Sequence, residues 1–164
     1  MRLVCFDTQV IIWGVKQEAT PGQESMIEKS KYLIQKCTED GDRIIIPSIV
    51  VAELLMPMET RLHQTFTSLM QRKFIIPTFD LKAASHFAKV WQQKKDIRKE
   101  LMDNRVATRA ELKADSMIIA TAISNEVSCI YSQDVPLKSM ATSFIEVKDV
   151  PEIPVDSQLS FLAN

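Results

Sequence analysis

The stretch that most constrains the fold is 113–134. Its first part is nearly all apolar after one acid, Asp115, and is typical of a helix buried against a sheet. A tight turn at 124–126 and a β-branched run at 127–131 predict a strand that ends just before Asp134. An acid at the edge of a buried element is costly unless something pairs with it, so Asp115 and Asp134 indicate a site. In α/β folds such a site lies in the crevice at the carboxyl ends of the strands.

The rest of the chain repeats this alternation of short apolar runs and amphipathic segments. Further strands are predicted at 3–6, 43–46, 74–76 and 144–147, and helices at 24–38, 49–56, 59–72 and 80–95, with Ser48 as a helix N-cap. This pattern favours an α/β fold, a three-layer α/β/α domain with a mostly parallel central sheet. We assign that domain to residues 1–147. Residues 148–164, which contain two prolines and a small apolar end at 159–162, are expected to form a C-terminal tail packing on the same domain.

Composition excludes several classes of function. With 20 Lys and Arg against 21 Asp and Glu, the net charge of -1 gives no global basic surface, so any nucleic-acid contact needs a local patch. The 3 glycines form no phosphate-binding loop or dinucleotide motif. The 3 cysteines are an odd number without CxxC spacing, which favours buried thiols in a reducing compartment. There is no signal-peptide pattern and no apolar run of membrane-spanning length, so we expect a cytoplasmic protein with no membrane contact.

Four acids stand alone in otherwise apolar surroundings. Asp7 and Asp134 follow strands, Glu53 lies within a helix after the second strand, and Asp115 lies near a helix start. Asp7 fits a helix N-cap equally well. Glu53 lies within a helix and cannot be a cap, so the functional interpretation is favoured there, with a salt bridge to a neighbouring helix as the alternative. Because parallel strands end at one edge, the acids are expected to converge, and their mutual repulsion would call for a cation. Oxygen ligands without His or Cys favour Mg²⁺ or Mn²⁺.

The segment 94–109 is the most basic part of the chain. It is interpreted either as a solvated helix face or as a phosphate-contacting surface. The helix that carries Asp115 begins either at a capping box over 108–111 or at Lys113, and Glu111 is a possible auxiliary acid four residues before Asp115. The phosphate-contacting candidates are Arg98, Lys99, Arg105, Arg109 and Lys113.

Four motifs together resemble the PIN-domain nucleases: LVCFDTQVII, IVVAELL, KADSMIIATAI and CIYSQD, in the family's order and spacing. The resemblance covers roughly residues 2–147, and it implies a metal-dependent endoribonuclease, often the toxin of a toxin–antitoxin pair. It implies that Mg²⁺ or Mn²⁺ is held by Asp7, Glu53, Asp115 and Asp134, with Ser132 orienting the site. Gln9 stands where the family often has Asn. The implied partners are an RNA substrate, an antitoxin protein and a second copy in a homodimer, and Arg105, Arg109 and Lys113 are taken as the nucleic-acid-binding residues.

Two other classes compete with this interpretation. One is a non-catalytic PIN-like module that binds RNA or protein, against which the complete set of four acids argues. The other is a metal-dependent phosphatase or a DNA-directed nuclease. Asp7-Thr8-Gln9 has no second Asp, so the DxDx[TV] motif of a covalent phosphatase is missing.

Overall fold

A four-stranded parallel sheet forms the centre of the protein, seen in a computed structural model that describes residues 1–155. Its spatial order is β2-β1-β3-β4. In register, Cys5 of the first strand lies opposite Ile45 on one side and Ile130 on the other. The α/β prediction is therefore confirmed, and the sheet is parallel throughout. The strands are β1 (Leu3–Phe6), β2 (Arg43–Ile45), β3 (Cys129–Tyr131) and β4 (Val147–Lys148).

Helices flank this sheet in the expected α/β/α arrangement. Within residues 1–155 they are α1 (Thr8–Ile11), α2 (Ser25–Glu39), α3 (Ser48–Leu55), α4 (His63–Lys73), α5 (Leu81–Gln93), α6 (Lys95–Asp103), α7 (Arg109–Ser124) and α8 (Val135–Ala141). A π-helical turn, Ile12–Lys16, continues α1, and a 3₁₀ turn, Thr60–Leu62, precedes α4. Helix α7 packs on α5, and its side chains Leu112, Ile118 and Ile119 are buried because both of its sides face protein.

Side-chain caps set the starts of three helices that matter for the site. Asp7 caps α1, Asp134 caps α8, and Thr108 forms a full capping box with Glu111 at the start of α7. The capping box decides between the two predicted starts of this helix, and it places Asp115 in the second turn of α7. The prediction of a Ser48 cap was wrong: Pro47 occupies the cap position of α3, without a side-chain hydrogen bond.

Two predicted strands are shorter than expected or displaced. The segment 74–76 makes only an isolated bridge between Ile75 and Ile45, because Pro77 follows it and has no N–H for a ladder. The last strand is β4 and not 144–147, since Phe144 and Ile145 donate back to the carbonyl of Ala141 in a turn.

The chain beyond β4 stays in contact with the domain. Val150 is buried in the core, its N–H donates to Gln133 Oε1 at 3.2 Å, and Glu152 forms an ion pair with Lys29. Strand β4 itself spans the predicted boundary at residue 147. The predicted apolar end at 159–162 lies outside the described residues.

The three cysteines are free and buried, as predicted. Burial raises the pKa of the Cys37 thiol to about 11, which keeps it protonated at neutral pH. Among the helices of residues 1–155, none has the length and apolar character that crossing a membrane requires.

Candidate metal and active site

The carboxyl ends of β1 and β3 open into a crevice with a cavity volume of about 560 Å³. All four acids predicted from the sequence line it: Asp7, Glu53, Asp115 and Asp134. They arrive from different elements, namely the end of β1, the middle of α3, the second turn of α7 and the start of α8. The structure therefore brings together residues that are up to 127 positions apart, and it does so where parallel α/β sheets bind ligands.

Asp7 is buried, and both of its carboxylate oxygens accept hydrogen bonds. Thr8 N–H donates to Oδ1 at 2.6 Å as the helix cap, and the Ser132 hydroxyl donates to Oδ2 at 2.6 Å. Burial raises the pKa of Asp7 to about 6, against the opposing effect of these two hydrogen bonds. Asp7 is thus a helix cap and a crevice residue at once, so the two interpretations of its sequence position are compatible.

Ser132 connects two of the acids. Its hydroxyl donates to Asp7 and accepts the backbone N–H of Asp134 at 3.0 Å. Asp134 in turn caps α8 through Oδ1, which accepts from Leu137 N–H at 2.9 Å. Because Ser132 is fully buried, these contacts hold the Asp7 carboxylate and the start of α8 in one arrangement.

Glu53 is held by a residue of the neighbouring helix. The Thr8 hydroxyl donates a hydrogen bond to Glu53 Oε2. No salt bridge to Glu53 is found in the described part of the chain, so the alternative of a structural ion pair receives no support. Thr8 therefore contributes twice, with its N–H on Asp7 and its hydroxyl on Glu53.

Asp115 differs from the other three acids. Its Oδ2 atom is buried and has no hydrogen-bond partner among residues 1–155. Burial, followed by the negative charges of Asp134, Asp7 and Glu53, raises the pKa of Asp115 to about 8. A buried carboxylate oxygen without a donor is unfavourable, and a cation beside it would remove both the desolvation penalty and the repulsion.

The donor chemistry of the crevice fits a hard divalent cation. All four acids offer oxygen, and no histidine or cysteine lines the crevice within the described residues. The orphaned Asp115 oxygen is the observation that supports the fit. In the same part of the chain, however, no group of three or more His, Cys, Asp or Glu side chains is arranged so that it could hold a metal ion. The acids share a crevice without forming a closed set of ligands.

The three predicted nucleic-acid-binding residues divide into two groups. Arg105 and Arg109 line a hollow of about 520 Å³ that adjoins the crevice, and Val106, Ala107 and Glu111 line both cavities. Arg105 also adopts a left-handed backbone (φ 56°) at the end of α6, which turns the chain toward α7. Lys113 is exposed on α7 and lines neither cavity as far as residues 1–155 define them.

Sequence reasoning missed several residues of the crevice wall. Trp13, Met56, Val106 and Gln133 line it, and Gln9, which departs from the family pattern, lines it too. Met56 and Val106 are 79% and 54% exposed, so they form an apolar part of the crevice rim. Gln133 could have been found from its place between Ser132 and Asp134. Nothing in the neighbouring sequence marks Trp13 or Met56 as a crevice residue, because each resembles an ordinary apolar residue of a predicted helix.

Fold and site together define an α/β protein with an acidic crevice at the carboxyl edge of a parallel sheet. A family model of the PIN domain matches residues 4–142, and the chain belongs to this family. The PIN resemblance of the sequence motifs is thereby confirmed. A comparison with curated proteins gives no significant match.

Solved structures with the same fold include three bacterial complexes. VapBC-1 from nontypeable Haemophilus influenzae has a TM-score of 0.63 and 15% identity, covering 92% of this chain and 99% of that chain. VapBC2 from Rickettsia felis, bound to a DNA fragment from its promoter, has a TM-score of 0.61 and 14% identity, covering 91% and 99%. DNA-bound VapBC from Salmonella typhimurium has a TM-score of 0.60 and 18% identity, covering 92% and 100%. At these identities the similarity is one of fold.

Proposed function

We propose that the protein is a metal-dependent endoribonuclease that hydrolyses RNA phosphodiester bonds in the acidic crevice. The observation that carries the proposal is the buried Asp115 oxygen without a hydrogen-bond partner, in a cavity that three further carboxylates line. An arrangement of this kind is unfavourable in the absence of a cation and favourable in its presence. Membership of the PIN domain family agrees with a nuclease.

The metal would be Mg²⁺ or Mn²⁺, held by Asp7, Glu53, Asp115 and Asp134. Bound there, such an ion lowers the pKa of an attacking water and stabilises the leaving oxygen. The chain's own contribution is positioning. Ser132 and Thr8 fix the Asp7 carboxylate through two hydrogen bonds of 2.6 Å, and the Thr8 hydroxyl fixes Glu53.

The substrate would be held by cations next to the crevice. Arg105 and Arg109 lie in the adjoining hollow, where they suit phosphate contacts, and Lys113 is exposed on the same helix as Arg109. Local cations are necessary because the whole chain has a net charge of -1 and the crevice is acidic.

We further propose that the protein is the toxin of a toxin–antitoxin pair and that it forms a homodimer. The three VapBC structures with the same fold support this setting. Met56 and Val106, apolar and exposed at the crevice, agree with a protein partner that covers this face.

A second candidate function is a PIN-like module that binds RNA or protein without cleaving it. It is favoured by the absence, among residues 1–155, of a preformed group of side chains that could hold a metal ion. The two functions differ in whether cation binding and RNA cleavage occur at all.

The test is cleavage of a mixed RNA pool by the purified protein with Mn²⁺, with EDTA and as the Asp7→Asn variant. Metal-dependent cutting that the variant loses, with its circular dichroism unchanged, is the expected result. DNA of matched sequence in parallel separates a ribonuclease from a DNA-directed nuclease. If the protein binds the cation but cleaves neither RNA nor DNA, a nuclease with a broad range of substrates is contradicted. If it neither binds the cation nor cleaves, the binding module is favoured.

A further inference from the structure

A group of cations lies beside α6 without acidic partners. Lys94 and Arg98 are 8% and 9% exposed, which is rare for charged side chains. Neither they nor Arg109 forms an ion pair with any Asp or Glu in residues 1–155. The stems of Lys94 and Arg98 are buried, but within residues 1–155 none of the side-chain nitrogens of these cations is buried without a hydrogen-bond partner, so the unpaired nitrogens reach solvent. These cations are therefore open to an anion supplied from outside the described chain.

Two of these cations share the ring of Trp91. The guanidinium carbon of Arg98 lies 3.8 Å from the centre of the indole, and that of Arg109 lies 5.4 Å from it. Arg98 Nε–H also donates to the Trp91 carbonyl at 3.0 Å, and Phe87 stacks on the indole at 5.7 Å. We call Trp91, Arg98 and Arg109 the Trp91 arginine cluster.

Two contacts with Trp91 hold the Arg98 guanidinium and leave some of its donors unused. Arg98 Nε–H donates to the Trp91 carbonyl, and the remaining N–H groups of Arg98 have no hydrogen-bond partner in the described part of the chain. Burial and then the positive charge of Arg109 lower the pKa of Arg98, which means that the two like charges interact. A guanidinium group carries several N–H donors in a planar fork that matches phosphate oxygens bidentately, and those of Arg98 that stay free are available for such a contact.

The Trp91 arginine cluster is continuous with the acidic crevice. Arg109 lines the hollow of about 520 Å³, and this hollow shares Val106, Ala107 and Glu111 with the crevice. An RNA strand that leaves the crevice through the hollow therefore passes Arg109, which shares the Trp91 ring with Arg98.

We propose that the Trp91 arginine cluster binds a backbone phosphate of single-stranded RNA whose scissile bond lies in the acidic crevice. The inference rests on the proposed ribonuclease function and adds the path of the substrate. RNA is favoured over an acidic protein because an RNA substrate must enter the crevice, where the carboxylates repel its phosphates. It therefore needs compensating cations along the adjoining path, whereas an acidic protein on the cluster has no need to enter the crevice. An acidic protein segment is the alternative occupant that the experiment distinguishes.

The experiment measures binding of a labelled single-stranded RNA by fluorescence anisotropy, in the Asp115→Asn background without divalent metal and over a range of salt. Arg109→Gln and Arg98→Gln are compared with Arg72→Gln, an exposed arginine in the last turn of α4 that lines neither the crevice nor the hollow. Each cluster variant is expected to weaken binding about fivefold at about 0.1 M salt and to reduce the slope of log K against log salt by about 0.7. Arg72→Gln should change neither quantity. Because Arg98 is buried, Arg98→Lys and thermal melts distinguish a lost phosphate contact from a folding defect.

Cleavage by the same arginine variants with Asp115 intact separates this inference from the proposed function. If the wild-type protein cuts RNA and the cluster variants bind and cut as it does, the phosphate site is refuted while the ribonuclease stands. If the wild type cuts nothing but the variants still lose affinity and salt slope, the RNA path stands and the catalytic proposal fails. If the cluster variants keep the RNA affinity and salt slope of the wild type but bind an acidic peptide more weakly, the cluster serves a protein partner and the inference is overturned.

Discussion

Replacing Asp115 by Asn should stabilise the metal-free protein at alkaline pH while abolishing catalysis. In the folded chain the pKa of Asp115 is raised from 3.8 to about 8, by burial first and then by the neighbouring carboxylates. At a pH between these two values, Asp115 is ionised in the unfolded chain and protonated in the folded chain. Stability of the metal-free wild type therefore falls as the pH rises from about 4 to about 8, and it levels off above that.

The magnitude follows from the size of the pKa shift. One pKa unit corresponds to about 1.4 kcal/mol, so ionisation of Asp115 costs the folded state about 5 kcal/mol at pH 8. Asn removes this cost but leaves a buried amide with unused hydrogen-bonding groups, a penalty of about 1–3 kcal/mol. A net gain of about 2–4 kcal/mol remains, equivalent to about 5–15 °C in Tm for a chain of this length. At pH 4 the gain disappears and only the amide penalty is left, so the sign of the effect reverses.

Thermal unfolding followed by circular dichroism in EDTA, from pH 4 to pH 9, measures this effect. The matched control is Glu111→Gln, four residues earlier on α7. The pKa of Glu111 is lowered by its hydrogen bonds to the Thr108 backbone and hydroxyl in the capping box. Gln keeps the capping-box hydrogen bond but removes a negative charge from the first turn of the helix, so this substitution should destabilise the protein slightly, by about 0.3–1 kcal/mol. An Asp115→Asn variant that is less stable than the wild type at pH 8 without metal would refute the argument that Asp115 is an uncompensated buried charge.

Three further predictions concern the hydrogen bonds and the cation. Ser132→Ala removes the donor to Asp7 and the acceptor for Asp134 N–H, so we expect a loss of about 1–3 kcal/mol in thermal stability and reduced cleavage; unchanged values for both would exclude a positioning role. Thr8→Val keeps the helix-capping N–H but removes the hydroxyl bonded to Glu53, so cleavage should fall while the far-ultraviolet spectrum stays the same; a lost spectrum would indicate a structural role instead. Mn²⁺ at 100 times its Kd should stabilise the folded wild type by about 2.7 kcal/mol, which appears as a higher Tm. The Tm of Asp7→Asn should not rise. Equal shifts in both proteins would place the ion elsewhere.

Much of the fold could be predicted because its signals are local. The strands at 3–6 and 43–45 are short apolar runs of β-forming residues, and the helices between them show their own periodicity. The errors occur where local signals are weak. The apolar segment 74–76 looked like a strand, yet only Ile75 bridges to Ile45, since pairing depends on a neighbour that the segment itself does not specify.

The acids were found for a related reason. A lone carboxylate in an apolar run is visible in the sequence, and Asp7, Glu53 and Asp115 each stand out in this way. The crevice wall was not visible, because Trp13 and Met56 are apolar residues in helical positions like many others.

By itself the sequence determined the class of fold and which acids were exceptional, because both depend on residue type and short-range spacing. Only the tertiary structure decided what those acids touch. The Thr8–Glu53 and Ser132–Asp7 hydrogen bonds join residues 45 and 125 positions apart, and the Trp91 arginine cluster joins the helices α5, α6 and α7. Such contacts depend on strand register and on the rotation of packed helices about their axes, and periodicity along one segment carries no information about either.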